Sequence, residues 1–216
     1  MSKIEGCIFD LDGVIVDTAK YHYLAWKRLA NELGFKFTEE QNERLKGVSR
    51  MKSLDILLEI GNLNFSDKEK IELAEKKNNW YVEYISNMDS NEILPGAKEF
   101  LQIVRDNGMK TALGSVSKNS MTILNGLNLA KYFDAIIDGN KVTHAKPNPE
   151  VFLLGAKEIG VPQANCVVFE DAVSGIEAAI NAEMYSIGIG SKKVLSRANI
   201  VIDSLADMKI GMLDLL

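Results

Sequence analysis

The chain has 216 residues, 46% hydrophobic and 25% charged, which fits one large globular domain or a core with a smaller insert and is long enough to bury a substantial core without staples. Lysine and arginine number 25 against 30 aspartates and glutamates, a net charge of −5 that argues against a nucleic-acid partner, although a few local lysines can still receive a small anion. The apolar run before Asp10 is too short for a signal-peptide core, and no stretch approaches the ~20 apolar residues of a membrane span, so a cytoplasmic location without a membrane partner is expected.

In chain order, "EGCIFDLD" (5–12) reads as a strand whose apolar run ends in two aspartates, a residue poor in strands. "AKYHYLAWKRLANELG" follows, with Tyr21, Ala25, Leu29 and Leu33 at helical spacing and Gly34 as the stop. "RMKSLDILLEIG" and "DKEKIELAEKKNNWYVEYI" also read as helices, and no convincing strand lies between about residues 19 and 88. "EILPG" (92–96) punctuates the return to alternating elements. Strands are predicted at 109–115, 132–138, 165–171, 184–190 and 199–203, and helices at 97–107, 119–127, 149–159 and 172–182. Gly108 and Gly160 stand where left-handed helix caps are expected.

Alternating strands and helices predict an α/β fold: a doubly wound, Rossmann-like parallel-sheet core over 1–16 and 93–216, with a helical cap domain, 17–92, inserted after the first strand. Cys7 and Cys166 sit in apolar runs and read as small buried hydrophobes rather than a disulfide.

In such a sheet, functional groups collect at the carboxyl ends of the strands. The first strand ends in Asp10 and Asp12, the second in Ser115, and the fourth in Glu170 and Asp171, while Lys146 lies in the loop after the third. Clustered carboxylates repel unless a cation binds, and hard oxygens in this number suit Mg²⁺, which keeps room for water and phosphate oxygens. The acids therefore imply a metal, and the metal with a lysine implies a phosphate. Of two neighbouring aspartates, one can attack phosphorus while the other handles a proton.

"FDLDGVIVDT", "GSVSKN", "AKPNPEVF" and "FEDAVSGI" stand in the order of the four motifs of the haloacid dehalogenase superfamily of phosphotransferases, which the whole core resembles. "DTAKYHYLAWKRLA", "LKGVSRMKSLDILL" and "KKN" at 76–78 resemble the cap of its phosphohexomutases. The resemblance implies interconversion of beta-D-glucose 1-phosphate and D-glucose 6-phosphate through an aspartyl phosphate, with glucose 1,6-bisphosphate as intermediate and priming activator. It implies Asp10 as nucleophile and Asp12 as general acid and base, with Asp10, the Asp12 backbone carbonyl, Glu170 and Asp171 around Mg²⁺. Ser115 and Lys146 would hold the transferring phosphoryl group, and Arg50 the other phosphate. His22, Lys46, Gly47, Ser53, Lys77 and Asn78 would line the sugar side from the cap, and Ser117 and Asn119 from the core. A small-molecule sugar phosphate is the expected partner, and a monomer the expected state. Two positions depart from the mutase pattern: Gly114 stands where alanine is expected, and Phe169 where leucine is.

Plainer readings exist for several of these residues. Taken alone, His22 reads as a helix-surface histidine and Trp26 as packing. Lys76 and Lys77 lie in a charged run that reads as a solvated face, His144 reads as a loop residue, and Glu170-Asp171 reads as an acidic pair before a helix. Two rival functions are a sugar-phosphate phosphatase on the same scaffold and a non-catalytic phosphosugar-binding sensor. "GVSRMKS" and His22 favour a grip on a second phosphate, and intact Asp10, Asp12, Lys146 and Asp171 favour catalysis.

Overall fold

The computed structural model describes residues 4–45 and 48–216. It divides into two compact units, residues 1–17 with 88–216, and residues 18–87.

The first unit is a six-stranded sheet in the order β3-β2-β1-β4-β5-β6. Its strands are β1 (Gly6–Phe9), β2 (Lys110–Gly114), β3 (Ala135–Ile137), β4 (Cys166–Glu170), β5 (Tyr185–Ile189) and β6 (Ile200–Ile202). All neighbours pair in parallel. The strand order reverses at β1, so the crevice between the carboxyl ends of β1 and β4 is the switch point where an open α/β sheet binds ligands. The helices of this unit are α5 (Ala97–Asp106), α6 (Ser120–Gly126), α7 (Glu150–Ile159) and α8 (Val173–Asn181).

Successive strand residues face opposite sides of the sheet, which decides the two cores. Ile8, Ala112, Val168 and Ile137 join Phe152, Val151 and Ala179 of α7 and α8 on one side. On the other, Phe9 stacks on Phe169 with ring centroids 4.6 Å apart, and Phe100 of α5 meets both edge-on. Phe169 therefore fills a place that leucine would fill with less aromatic contact. Gly114 answers to its neighbour in the same way: a Cβ there would lie 2.8 Å from the ring of Phe152. Gly108 and Gly160 adopt φ of 75° and 71°, the left-handed caps expected of them. Cys7 and Cys166 are buried free thiols.

β1 is shorter than the sequence predicts. It stops at Phe9, and Leu11 to Val16 fold back in a tight turn held by Val16 N donating to Leu11 O at 3.0 Å and Gly13 N to Val16 O at 2.9 Å. Val16 then forms an antiparallel bridge with Ile93. Asp17 N donates to Glu92 O at 2.9 Å and Leu94 N to Ile15 O at 3.0 Å, so the chain leaves and re-enters this unit through one clipped base.

The second unit is helical: α1 (Ala19–Glu32), α2 (Glu39–Asn42), α3 (Arg50–Ile60) and α4 (Asp67–Ile85), with α4 packed on α1 and α3. The buried face of α1 centres on Ala25, Trp26, Leu29 and Ala30, while Tyr21 and Leu33 are only half-buried at its ends. α2 is short and weakly periodic, but Thr38 and Gln41 open it with a reciprocal capping box, as Ser66 and Glu69 open α4. Among the described residues, no helix is long and apolar enough to cross a membrane.

Candidate active site

The site starts from the register of β1 and β4. Phe9 pairs with Phe169, and Asp10 N donates to Phe169 O at 3.0 Å, so Asp10 leaves the end of β1 beside Glu170 at the end of β4. Both side chains are buried, and Asp171 follows at the rim. One carboxylate oxygen from each of Asp10, Glu170 and Asp171 lies within 4.8 Å of the others, the spread of ligands around one cation.

Two glycines make room for this cluster. Gly13 has φ of 80°, and a Cβ there would lie 2.1 Å from Asp171 Oδ2. Gly175, in the first turn of α8, would bring a Cβ within 1.9 Å of Glu170 Cδ. Neither was singled out in the sequence, although Gly13 directly follows the aspartate pair.

Lys146 reaches into the same crevice. Its Nζ lies 2.5 Å from Asp10 Oδ1 and 2.8 Å from Glu170 Oε2, over the ring of Phe152. Burial alone would discharge this amine, but the charges of Asp10 and Glu170 and their hydrogen bonds outweigh it and hold the ammonium form. Burial raises Glu170 well above the carboxylate range, with Asp10 and Asp171 repelling it further and Lys146 pulling the other way. Asp171 is pushed up to about 7 by burial and by repulsion from Asp10 and Asp12.

Fully ionised, the three carboxylates and one ammonium would carry two negative charges in the crevice, a repulsion that raises Glu170 and Asp171 and that a divalent cation would neutralise. The all-oxygen donor set and its open side suit Mg²⁺, which keeps water and phosphate oxygens in its shell. Asp10, Glu170 and Asp171 would hold it.

Ser115 is buried one residue past β2, its N donating to Ile137 O at 3.0 Å, and its Oγ accepts from Ser117 N at 3.1 Å. Ser117 Oγ accepts from Asn119 N at 3.3 Å, just before α6. The β2 loop thus turns three candidate side chains through successive hydroxyl-to-amide contacts. His144, expected as a plain loop residue, has a defined partner: its Nδ1 and backbone N lie 2.9 and 2.8 Å from Glu150 Oε2.

In the helical unit, His22, Arg50 and Lys77 come together. Lys77 Nζ lies 3.0 Å from His22 Nδ1 and over the rings of Trp26 and Tyr81, at 4.5 and 4.8 Å from their centroids. His22 stacks on Tyr81 at 4.0 Å. Burial, then Lys77 and Arg50, hold His22 well below the usual imidazole range, and burial with the Arg50 charge lowers Lys77 to about 7. The solvated-face reading holds for Lys76, which pairs with Glu32, but not for Lys77, which is 2% exposed. Ser53 is buried with its Oγ 3.5 Å from Leu45 O, and Asn78 is half-buried on α4. Lys46 and Gly47 lie outside the described residues.

The family model of haloacid dehalogenase-like hydrolases matches residues 4–183. The chain is 37% identical to the beta-phosphoglucomutase of Bacillus subtilis over 97% of its length and 94% of that protein's. It is 34% identical to a phosphorylated carbohydrates phosphatase of Thermotoga maritima over 83% of its length and 82% of that protein's. A crystal structure of beta-phosphoglucomutase from Clostridium difficile matches with a TM-score of 0.89 and 47% identity, over 97% of this chain and 95% of that one.

Proposed function

This chain belongs to the haloacid dehalogenase-like hydrolase family, and from that premise we propose that it is a Mg²⁺-dependent phosphohexomutase interconverting beta-D-glucose 1-phosphate and D-glucose 6-phosphate. The observation that carries the chemistry is Lys146 bridging Asp10 and Glu170 at the sheet's switch point, where a buried carboxylate beside an ammonium can meet a phosphoryl group.

Asp10 Oδ attacks phosphorus and becomes an aspartyl phosphate, and the oxygen of the departing sugar takes a proton from Asp12. In the return half-reaction Asp12 accepts a proton from the hydroxyl that attacks the aspartyl phosphate. Lys146 and Ser115 hold the equatorial oxygens of the moving group. Mg²⁺ bound by Asp10, Glu170, Asp171 and the Asp12 carbonyl would neutralise charge on that group. Residues 18–87 act as a cap in which Arg50 takes the phosphate that is not moving, while His22, Ser53, Lys77 and Asn78, with Lys46 and Gly47, line the sugar side. Ser117 and Asn119 line it from the sheet unit. Glucose 1,6-bisphosphate primes Asp10 and turns over between the two half-reactions. The enzyme acts on a free sugar phosphate as a monomer.

The identity to a phosphatase of phosphorylated carbohydrates supports a second reading, the same Asp10 chemistry with water as acceptor. The two part in one experiment. The protein is incubated with Mg²⁺, beta-glucose 1-phosphate and a trace of glucose 1,6-bisphosphate, and glucose 6-phosphate and free phosphate are followed together. Glucose 6-phosphate without stoichiometric free phosphate supports the mutase, and free phosphate in step with substrate loss overturns it.

A further inference from the structure

Lys146 sits on a segment, residues 138–149, that has no regular secondary structure and joins β3 to α7. A flexible chain of that length does not hold an ammonium against two carboxylates unless its backbone is pinned close by. The pins are visible. On the N-terminal side, Thr143 N and Oγ1 lie 3.1 Å from Glu150 Oε2, and His144 N and Nδ1 lie 2.8 and 2.9 Å from the same oxygen. Thr143 Oγ1 is also 3.1 Å from Oε1. On the C-terminal side, Asn181 Nδ2 donates to Pro147 O at 3.0 Å, and Asn148 Oδ1 accepts from Glu150 N at 3.0 Å.

We propose that Glu150 is a positioning residue for Lys146: its carboxylate gathers Thr143 and His144 and so fixes the backbone from which the Lys146 ammonium reaches Asp10 and Glu170. Glu150 does not touch the reacting groups. It opens α7, so its backbone is fixed by that helix, and its charge is favoured at the helix N-terminus. The two amides, the hydroxyl and the imidazole need an acceptor with several lone pairs. A carboxylate provides them, whereas an amide provides one oxygen and would turn two hydrogens toward donors. The hydrogen bond from His144 N, with those of the His144 ring and Thr143, holds the Glu150 carboxyl down to about 2, so the acceptor stays ionised through the working range.

The proposal rests on the reading of Lys146 as a phosphoryl-holding group, and the test separates the two. The rate of Asp10 phosphorylation by acetyl phosphate is measured in wild type, Glu150→Gln, Lys146→Ala and the double variant, with thermal unfolding alongside. Glu150→Gln should slow phosphorylation about 10- to 100-fold on its own and less than about twofold when Lys146 is already alanine, because residues acting through one another are not additive. Equal losses in both backgrounds would mean that Glu150 serves the fold alone and would overturn the proposal. A side-chain ¹⁵N spectrum of lysine-labelled protein reads positioning without any reaction. The Lys146 ammonium signal, assigned by its loss in Lys146→Ala, should shift or broaden in Glu150→Gln and in the milder, exposed-site variant His144→Ala. An unchanged Lys146 signal in both overturns the positioning role even if wild type proves inert to acetyl phosphate, an outcome that would count against the Asp10 chemistry instead.

Discussion

Gly175 lies so close beneath Glu170 that a Cβ at that position would sit 1.9 Å from Glu170 Cδ. The residue is in the first turn of α8, where alanine is favoured over glycine by at most about 1 kcal/mol, so local propensity and the site pull in opposite directions. Gly175→Ala should therefore keep or raise helical stability while forcing Glu170 away from Lys146. The expected outcome is a folded protein whose Mg²⁺ requirement rises about tenfold or more. A Mg²⁺ titration of turnover beside a thermal melt checks it, and an unchanged metal requirement would show that Glu170 has room to move without loss.

Asp10→Asn should abolish turnover, by on the order of 10⁴-fold or more, since an amide is a poor nucleophile toward phosphorus and the exchange also removes a metal ligand. Asp12→Ala should cost on the order of 10²–10⁴ through lost proton transfer, and should spare metal affinity because the proposed ligand there is a backbone carbonyl. Steady-state rates at saturating Mg²⁺, with metal affinity measured separately, distinguish the two. Full rate at saturating metal in Asp12→Ala would remove it from acid–base duty.

Chelation should silence the enzyme, Mg²⁺ should restore it, and Ca²⁺ should do so poorly because it prefers more ligands at longer distances. Since Asp171 is raised to about 7 and Glu170 is raised as well, the metal-free site holds protons near pH 6.5 that the metal must expel. Calorimetry of Mg²⁺ binding in two buffers of different ionisation enthalpy should report proton release that fades above pH 8. Identical heats in both buffers would contradict the shifted carboxyls.

Lys77 makes a separate claim about stability. Its amine titrates near 7 when folded and near 10.5 when unfolded, so between those values the unfolded chain binds more protons. The amine's contribution to stability therefore rises as pH climbs from 7 toward 10.5, and below 7 its penalty is full. Lys77→Met should be more stable than wild type at pH 7 by about 1–3 kcal/mol, after loss of the His22 contact and the ring contacts offsets part of the desolvation gain. Denaturant unfolding at pH 7, 8 and 9 should show this difference shrinking with pH, while mutase activity is poor throughout. A pH-independent difference would mean that the amine stays charged in the fold.

Arg50 tests whether the helical unit reads the second phosphate. A charged hydrogen bond is worth roughly 1.5–3 kcal/mol, so Arg50→Ala should weaken phosphosugar use about 10- to 150-fold. Acetyl phosphate has no second phosphate, and its reaction with Asp10 should be nearly unchanged. The two rates are measured side by side, and parallel losses would mean that Arg50 supports the fold or the sheet unit's site.

Much of this is legible in the sequence because a parallel sheet buried on both faces must be written in short apolar runs, and the candidate site residues end several of those runs. Asp10, Ser115 and Glu170 stand out for that reason, and Lys146 through its place in the loop after the third strand. The boundaries are less so: β1 stops at Phe9 because backbone hydrogen bonds close the Leu11–Val16 turn, and that turn is illegible because its apolar residues read like a strand. Lys77 was opaque, since whether a lysine in a charged run is buried depends on which face of α4 meets α1. Glu150 was opaque for another reason. Its partners are loop amides at Thr143 and His144, and no periodicity records where a loop turns back on a helix.

The clip between Val16 and Ile93 has a consequence for how such a molecule can change over time. The helical excursion starts and finishes at one point that the sheet unit has already closed with its own hydrogen bonds. Lengthening a loop from a closed base is cheap, about 0.6 kcal/mol for each doubling. Helices can accordingly be added, trimmed or rebuilt between the two ends without renegotiating the pairing of β1 with β4. Inheritance can then treat the excursion as a cassette, keeping one phosphoryl-handling engine while its address label is rewritten, which is one way for a mutase and a carbohydrate phosphatase to remain relatives of a single chain.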